Sequence, residues 1–226
     1  MAEDERDERN TQRNHWRATF VGNPDMYGTA ISAPASAATE LFASCKFAEI
    51  LELGAGQGRD TLAFLKFGFW VTALDYSEEG IAAIVAKADS EGLNERLTAT
   101  VHDVRQALPL EDSSVDAVFS HMLFNMALTT SELIELTAET LRVLRPGGYL
   151  VYTVRHVGDA HFGQGRSHGD GMWENGGFIV HFFDKEIVDR LAAGFSEPEI
   201  EAFEEGELPR KLWRVTQRKL DTLSPT

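Results

Sequence analysis

The chain has 226 residues, 36 acidic against 21 basic side chains, a net charge of −15 and one cysteine. That length suits a single α/β domain with a core large enough to fold alone, and the acidic balance disfavours nucleic acid, whose binding rests on Lys and Arg contacts to phosphate. With Cys45 alone there is no internal disulfide and no cysteine-based metal site, no apolar run is long enough for a bilayer, and the start at Met1-Ala2-Glu3-Asp4 lacks a signal peptide's apolar core. The expectation is a cytoplasmic protein, monomer or homodimer, that takes a small molecule rather than nucleic acid or a membrane as partner.

Residues 1 to about 15 are polar and mixed in charge, and read as a loosely attached arm. Trp16 to Ala33 carries Trp16, Phe20, Met26 and Tyr27 among turn formers, as a short helix and loop folded over something else would. Together 1–33 form an arm and lid, and 34–226 a single domain. Ser32 before Pro34 starts a helix with Ala38, Leu41, Phe42 and Cys45 on one face. Strands and helices then alternate. Phe47–Leu53 is an apolar strand ending in glycines, and Asp60–Phe67 a helix stopped by Gly68. Phe69–Leu74 is the second strand, and Ser77 caps a helix whose apolar face is Ile81, Ile84, Val85 and Ala88. Leu97–Val101 and Val115–Phe119 are strands three and four. A helix marked by Leu133, Leu136 and Leu144 breaks at Pro146-Gly147-Gly148, before strand five at Tyr149–Val154.

Strands this apolar between amphipathic helices imply a parallel sheet covered on both faces. Residues 156–177 are rich in Gly and His and read as a long loop, the core of an acceptor-side segment over 156–183. A helix from Asp184 to Ala193 follows, then strands at Phe195–Phe203 and Leu212–Thr216, whose short connection favours an antiparallel pair.

The segment Glu52-Leu53-Gly54-Ala55-Gly56-Gln57-Gly58-Arg59-Asp60 is a strand, a glycine turn and a helix start. Glycines let the backbone turn sharply and a ligand sit against the peptide plane, and the helix adds free N–H groups. Dinucleotide folds prefer G-x-G-x-x-G around a pyrophosphate. Here the glycines alternate, and Glu52 before them would face a pyrophosphate unfavourably but would suit an ammonium or sulfonium group. Asp75, about 20 residues past the turn, is placed to accept ribose hydroxyls of either NAD or S-adenosylmethionine. Asp103 and Val104 after strand three can bond an adenine amino group and a ring nitrogen.

In this order and spacing, the E-x-G-x-G-x-G element, Asp75, Asp103-Val104, Val115-Asp116-Ala117-Val118 and Leu144-Arg145-Pro146-Gly147-Gly148-Tyr149 resemble class I S-adenosylmethionine-dependent methyltransferases. The resemblance is strongest over residues 34–155 and toward the small-molecule branch of tellurite-resistance-like and thiopurine-methyltransferase-like enzymes. It implies a Rossmann-like α/β fold: a seven-stranded, mostly parallel sheet with the last strand antiparallel and helices on both faces. It places Gly54, Ala55, Gly56 and Gly58 at the methionyl part of S-adenosyl-L-methionine, Asp75 and Tyr76 at the ribose and Asp103 with Val104 at the adenine. Ser120 and His121 fall at the end of strand four, beside the switch point.

Methyl transfer from a sulfonium needs alignment more than a catalytic motif. The segment Ser120-His121-Met122-Leu123 lacks the pattern of amino-group methyltransferases acting on adenine or glutamine; Cys45 falls on the inward face of a helix before strand one, which disfavours cytosine C5 chemistry, and a single cysteine disfavours arsenite chemistry. The candidates near the acceptor are His121, Arg155 and His156, with Trp16 and Tyr27 from the arm. His156, His161, His168 and His181 lack metal-ligand spacing, so a lid is expected there rather than a metal site. Two alternatives stay open: an NAD-dependent oxidoreductase, and a non-catalytic S-adenosylmethionine-binding sensor or scaffold.

Overall fold

The computed structural model describes residues 2–23, 26, 28–206 and 210–221. In chain order its elements are α1 (Ala2–Gly22), α2 (Ala33–Ser44), β1 (Glu49–Leu53), α3 (Arg59–Phe67), β2 (Trp70–Asp75), α4 (Glu78–Ser90), β3 (Leu97–Val101), β4 (Val115–His121), α5 (Thr130–Val143), β5 (Leu144–Arg155), β6 (Arg166–Gly169), β7 (Met172–Asn175), β8 (Phe178–His181), α6 (Lys185–Leu191), β9 (Glu199–Glu205) and β10 (Arg210–Arg218).

Alternate residues of a strand face opposite sides of the sheet, and here both sides are covered. Leu51, Leu53, Val118 and Tyr152 pack with Leu133 and Leu136 of α5 and Val188 and Leu191 of α6. Their neighbours Ile50, Ala117, Phe119 and Val151 pack with Phe42 of α2 and Phe64 and Leu65 of α3. This explains why β1 reads as an apolar run: Ile50 to Leu53 are all buried. The seven strands lie in the order β3-β2-β1-β4-β5-β10-β9. β1 to β5 run parallel, and β10 enters antiparallel between β5 and β9. The seven-stranded sheet with its last strand reversed is therefore present.

The helix starts follow the caps read from sequence. Ser32 accepts from the Ala35 N–H, Ser77 from Gly80 and Asp184 from Ile187. Thr129 and Glu132 add a reciprocal capping box at α5 that the sequence reading had not used.

Two segments differ from expectation. Of the stretch expected as a loose arm, residues 2–15 are helical within α1. The Gln12 side-chain amide pairs with the edge of β8, donating to the Gly177 carbonyl at 2.8 Å and accepting from the Ile179 N–H at 3.2 Å. His15 and Trp16 pack on Phe178, with ring centroids 4.2 and 4.8 Å away. The expected loop at 156–177 instead contains β6 and β7, which join β8 in a three-stranded antiparallel sheet. Its turns are Asp170-Gly171 (φ 50° and 74°) and Gly176-Gly177 (φ 61° and 84°), positive throughout as tight primed hairpin turns require. The Asp170 carboxylate accepts from the Thr130 N–H and hydroxyl, fixing this small sheet to the start of α5. Among the described residues, no helix is long and apolar enough to cross a membrane.

Candidate active site

The C-terminal ends of β1 to β4 open onto a cavity of about 620 Å³, roofed by α1 and the small sheet. It lies where the sheet order reverses between β1 and β4, the position at which open α/β sheets bind ligands.

At its floor the chain turns from β1 into α3. Gly54, Gly56 and Gly58 have φ of 73°, 54° and 84°, values that L side chains resist. A Cβ at Gly54 would lie 2.8 Å from Leu123 Cβ, and one at Gly58 would lie 2.6 Å from Ile84 Cγ1. Gly54, Ala55 and Gly56 line the cavity, but Gly58 does not. Gly58 instead begins α3 against α4, so its expected place beside a ligand is corrected to a packing role. Gly58→Val should cost about 2–4 kcal/mol through its backbone conformation and the overlap with Ile84. Chemical denaturation would check this, and an unchanged midpoint would contradict it.

Asp75 ends β2 under the same turn. Its Oδ2 accepts from the Gly56 N–H and its Oδ1 from the Ser77 N–H, both at 2.8 Å. It is buried, and loss of solvent raises its carboxyl above the usual range against these bonds. Glu52 is 3% exposed and accepts from the Thr61 hydroxyl. Burial first, and then the charge of Asp60, push its pKa up to about 8. Asp60 is itself held by the Ser32 N–H and hydroxyl. Three carboxyl groups thus share a dry floor. A cationic ligand group relieves that crowding and a pyrophosphate worsens it.

Along the β3 side, Val104, Tyr76 and Asp103 line the cavity. Sequence reasoning missed Arg105, whose Nε and Nη2 donate to the two Asp103 oxygens at 2.8 and 2.7 Å. Asp103 therefore offers its remaining lone pairs from a fixed orientation. His102 borders the same space, and its buried Nε2 has no protein partner.

At the opposite end, His121 lines the cavity, with Nδ1 2.8 Å from the Thr153 hydroxyl and Nε2 3.3 Å from a Glu205 oxygen. Neither partner was expected, because both come from later strands. Ser120 does not reach the cavity. It is fully buried, and its hydroxyl donates to the Leu53 carbonyl at 3.1 Å, tying β4 to β1. Arg155 reaches the cavity, but its Nε and Nη2 bond Asp159, which also accepts from the His161 and Lys211 N–H groups. Most of its charge is spent on tying the small sheet's entry to β10. His156 is turned away, stacked on Trp213 with centroids 4.6 Å apart, and the expectation that it faces an acceptor is corrected. His161, His168 and His181 go to Arg155, Glu174 and the Leu128 carbonyl, three separate partners. Trp16 lines the cavity, while Tyr27 lies outside the described residues. Asn125 borders the cavity with its whole side-chain amide buried and unpartnered.

Residues 50–148 match the family model described as a methyltransferase domain. The match runs from Ile50 to Gly148, less than half of the chain, and it is this segment that is similar to methyltransferases. Over 104 residues it is 36% identical to phosphoethanolamine N-methyltransferase 1 of Triticum aestivum, which covers 45% of this chain and 20% of that protein. The chain spans less than half the length of the curated relatives it matches. Its fold is similar to 1,6-didemethyltoxoflavin-N1-methyltransferase of Burkholderia thailandensis, with TM-score 0.74, 20% identity, and coverage of 96% of this chain and 90% of that one. It is also similar to TehB of Haemophilus influenzae, with TM-score 0.65, 19% identity, and coverage of 87% and 65%.

The methyltransferase-domain match over residues 50–148, together with the acidic floor, favours S-adenosylmethionine over the nicotinamide alternative. The residues present fit the family's cofactor. Buried Glu52 and Asp75 answer a ligand with a cationic amino-acid end and a ribose, and the unpartnered Nε2 of His102 leaves a polar atom for the base. S-adenosylmethionine brings a methyl group made electrophilic by its positive sulfur.

Proposed function

We infer that this chain transfers a methyl group from S-adenosyl-L-methionine to a small-molecule acceptor by in-line displacement, in the cytoplasm. The observation that carries the reading is a single cavity running from the glycine turn to His121 under a lid of α1 and β6 to β8. Glu52, the turn at Gly54 to Gly56, Asp75 and the Asp103-Val104 pair hold the donor. The end walled by Trp16, Phe178 and Phe182 takes the acceptor. A cavity of about 620 Å³ suits the donor and a small acceptor, and the Burkholderia relative, solved with bound 1,6-didemethyltoxoflavin, supports the same class.

Such a site contributes mainly alignment. Holding two reactants in near-attack geometry is worth roughly 7–11 kcal/mol. The lid supports this by excluding water. Its contacts to the floor are direct: the Gln57 amide donates to the Asn23 carbonyl at 2.9 Å, and Arg13 donates to the Tyr76 carbonyl at 3.2 Å. The test is formation of S-adenosylhomocysteine when the chain is incubated with S-adenosylmethionine and a panel of phenols, amines, thiols and carboxylates. Acceptor-dependent product is expected. Cofactor binding without product across the panel would favour a sensor or scaffold.

A further inference from the structure

The acceptor end of the cavity finishes on a histidine with an oxygen at each ring nitrogen. Thr153 already accepts the Met122 N–H at 2.9 Å, and a hydroxyl oxygen has a second lone pair for an Nδ1–H. Glu205, the last residue of β9, faces Nε2. Both N–H groups of a protonated His121 therefore have acceptors. A charge-assisted N–H to carboxylate bond is normally about 2.7–2.9 Å, so the 3.3 Å separation at Nε2 leaves this nitrogen open to a third group.

Glu205 does not compete for a proton. Its carboxyl is held below the usual range, first by the bond from His121 and further by Arg59 and Arg210, which face it from the starts of α3 and β10. Arg155, the other cation at this end, is committed to Asp159. The surrounding walls are aromatic: Trp16 and Phe20 from α1, Trp173 from β7, and Phe178 and Phe182 from β8 and the residue after it. These rings favour a flat partner, which gains stacking and edge contacts beyond its buried area. The unpartnered amide of Asn125 leaves a donor and an acceptor for the polar edge of such a ring.

We propose that the acceptor is a flat aromatic ring bearing an ionisable O–H or N–H, that His121 Nε2 takes this proton, and that Glu205 positions and stabilises the protonated His121. The proposal rests on the methyltransferase reading. The acceptor's O–H or N–H bond breaks and its proton joins Nε2. The electron pair left on the acceptor atom forms the bond to the methyl carbon, and the pair of the broken carbon–sulfur bond stays on sulfur as a neutral sulfide. His121 returns its proton to water after the product leaves. His121 is the catalytic residue and Glu205 acts through it.

A probe with its own spectrum tests this without knowledge of the natural acceptor. 4-Nitrophenol is titrated into the full chain saturated with S-adenosylhomocysteine, and its visible phenolate band is followed against pH. The bound probe is expected to ionise about one pH unit below the free probe. His121→Ala should bind it without that shift. Glu205→Gln should bind it with most of the shift lost, a change that a merely structural Glu205 would not cause. Trp16→Ala should weaken binding but leave the shift of the bound fraction intact. Absence of binding to the wild-type chain, or the same ionisation in wild type and His121→Ala, overturns the proposal. Binding of S-adenosylhomocysteine is measured on every sample and shows that each variant is folded. Its failure in the wild type would sink the methyltransferase reading itself, whereas its success beside an unshifted probe sinks only the acceptor assignment.

Discussion

Replacing Asp75 by Ala is expected to weaken S-adenosylhomocysteine binding by roughly a hundredfold or more. This carboxylate joins the end of β2 to the glycine turn through its bond from the Gly56 N–H, beside the backbone bonds from Gly54 and Ala55 to the Leu74 carbonyl, while its second oxygen holds the Ser77 N–H at the start of α4. Hydrogen bonds to a charged group contribute about 1.5–3 kcal/mol each. Losing the bonds to the turn and to a ribose hydroxyl therefore removes about 3 kcal/mol, or roughly two orders of magnitude in affinity. Asp75→Asn keeps one acceptor and should fall between. Calorimetry on variants whose melting curves confirm folding would check both, and an Ala variant within threefold of wild type would show that Asp75 is not at the ligand.

The second large effect is a proton coupled to binding. Glu52 has an ordinary value of 4.5 and sits at about 8 in the folded chain, so it is mostly protonated at neutral pH. The sign for stability follows from a raised folded value. The contribution is fully present below pH 4.5, where folded and unfolded chains both hold the proton, and it is lost as pH rises from there to 8. A cationic ligand reverses the preference and favours the ionised carboxylate. S-adenosylmethionine binding near pH 7 should therefore release close to one proton. Between pH 6 and 7.5, affinity should rise by up to about tenfold per unit relative to Glu52→Gln. Calorimetry in buffers of different ionisation enthalpy counts the proton. Equal proton release by wild type and Glu52→Gln would assign it to another group.

These two residues were legible in the sequence because their role is set by local chain order. A carboxylate two residues before a glycine turn, or at the end of the next strand, has few places to go once the sheet is parallel. The sheet itself was legible for a similar reason: Ile50 to Leu53 are buried on both faces, so, Glu52 apart, the run is apolar without alternation. The lid was not. β6 and β7 are four residues each, Arg-Ser-His-Gly and Met-Trp-Glu-Asn, and only Met172 and Trp173 carry apolar side chains. Asp170-Gly171 and Gly176-Gly177 did signal hairpins, but the glycine content of the segment suggested mobility instead. α1 looked unattached because the backbone groups that hold Gln12 lie on β8, far along the chain.

The acceptor side shows the same limit. His156 and His161 are close neighbours in sequence, yet only His161 reaches the cavity, because Val157 onward turns back through the Asp159 network. Glu205 came from an acidic turn with no pattern of its own. Arg105 lies two residues from Asp103 and was readable as a partner, since the spacing permits the fork that forms.

The measurement that bears most directly on the account is calorimetric titration of the unmodified chain with S-adenosylhomocysteine and, separately, with NAD. The acidic floor and the glycine turn predict binding of the first at roughly micromolar concentration and no heat from the second. Saturable NAD binding, or no S-adenosylhomocysteine binding at millimolar concentration, would contradict it.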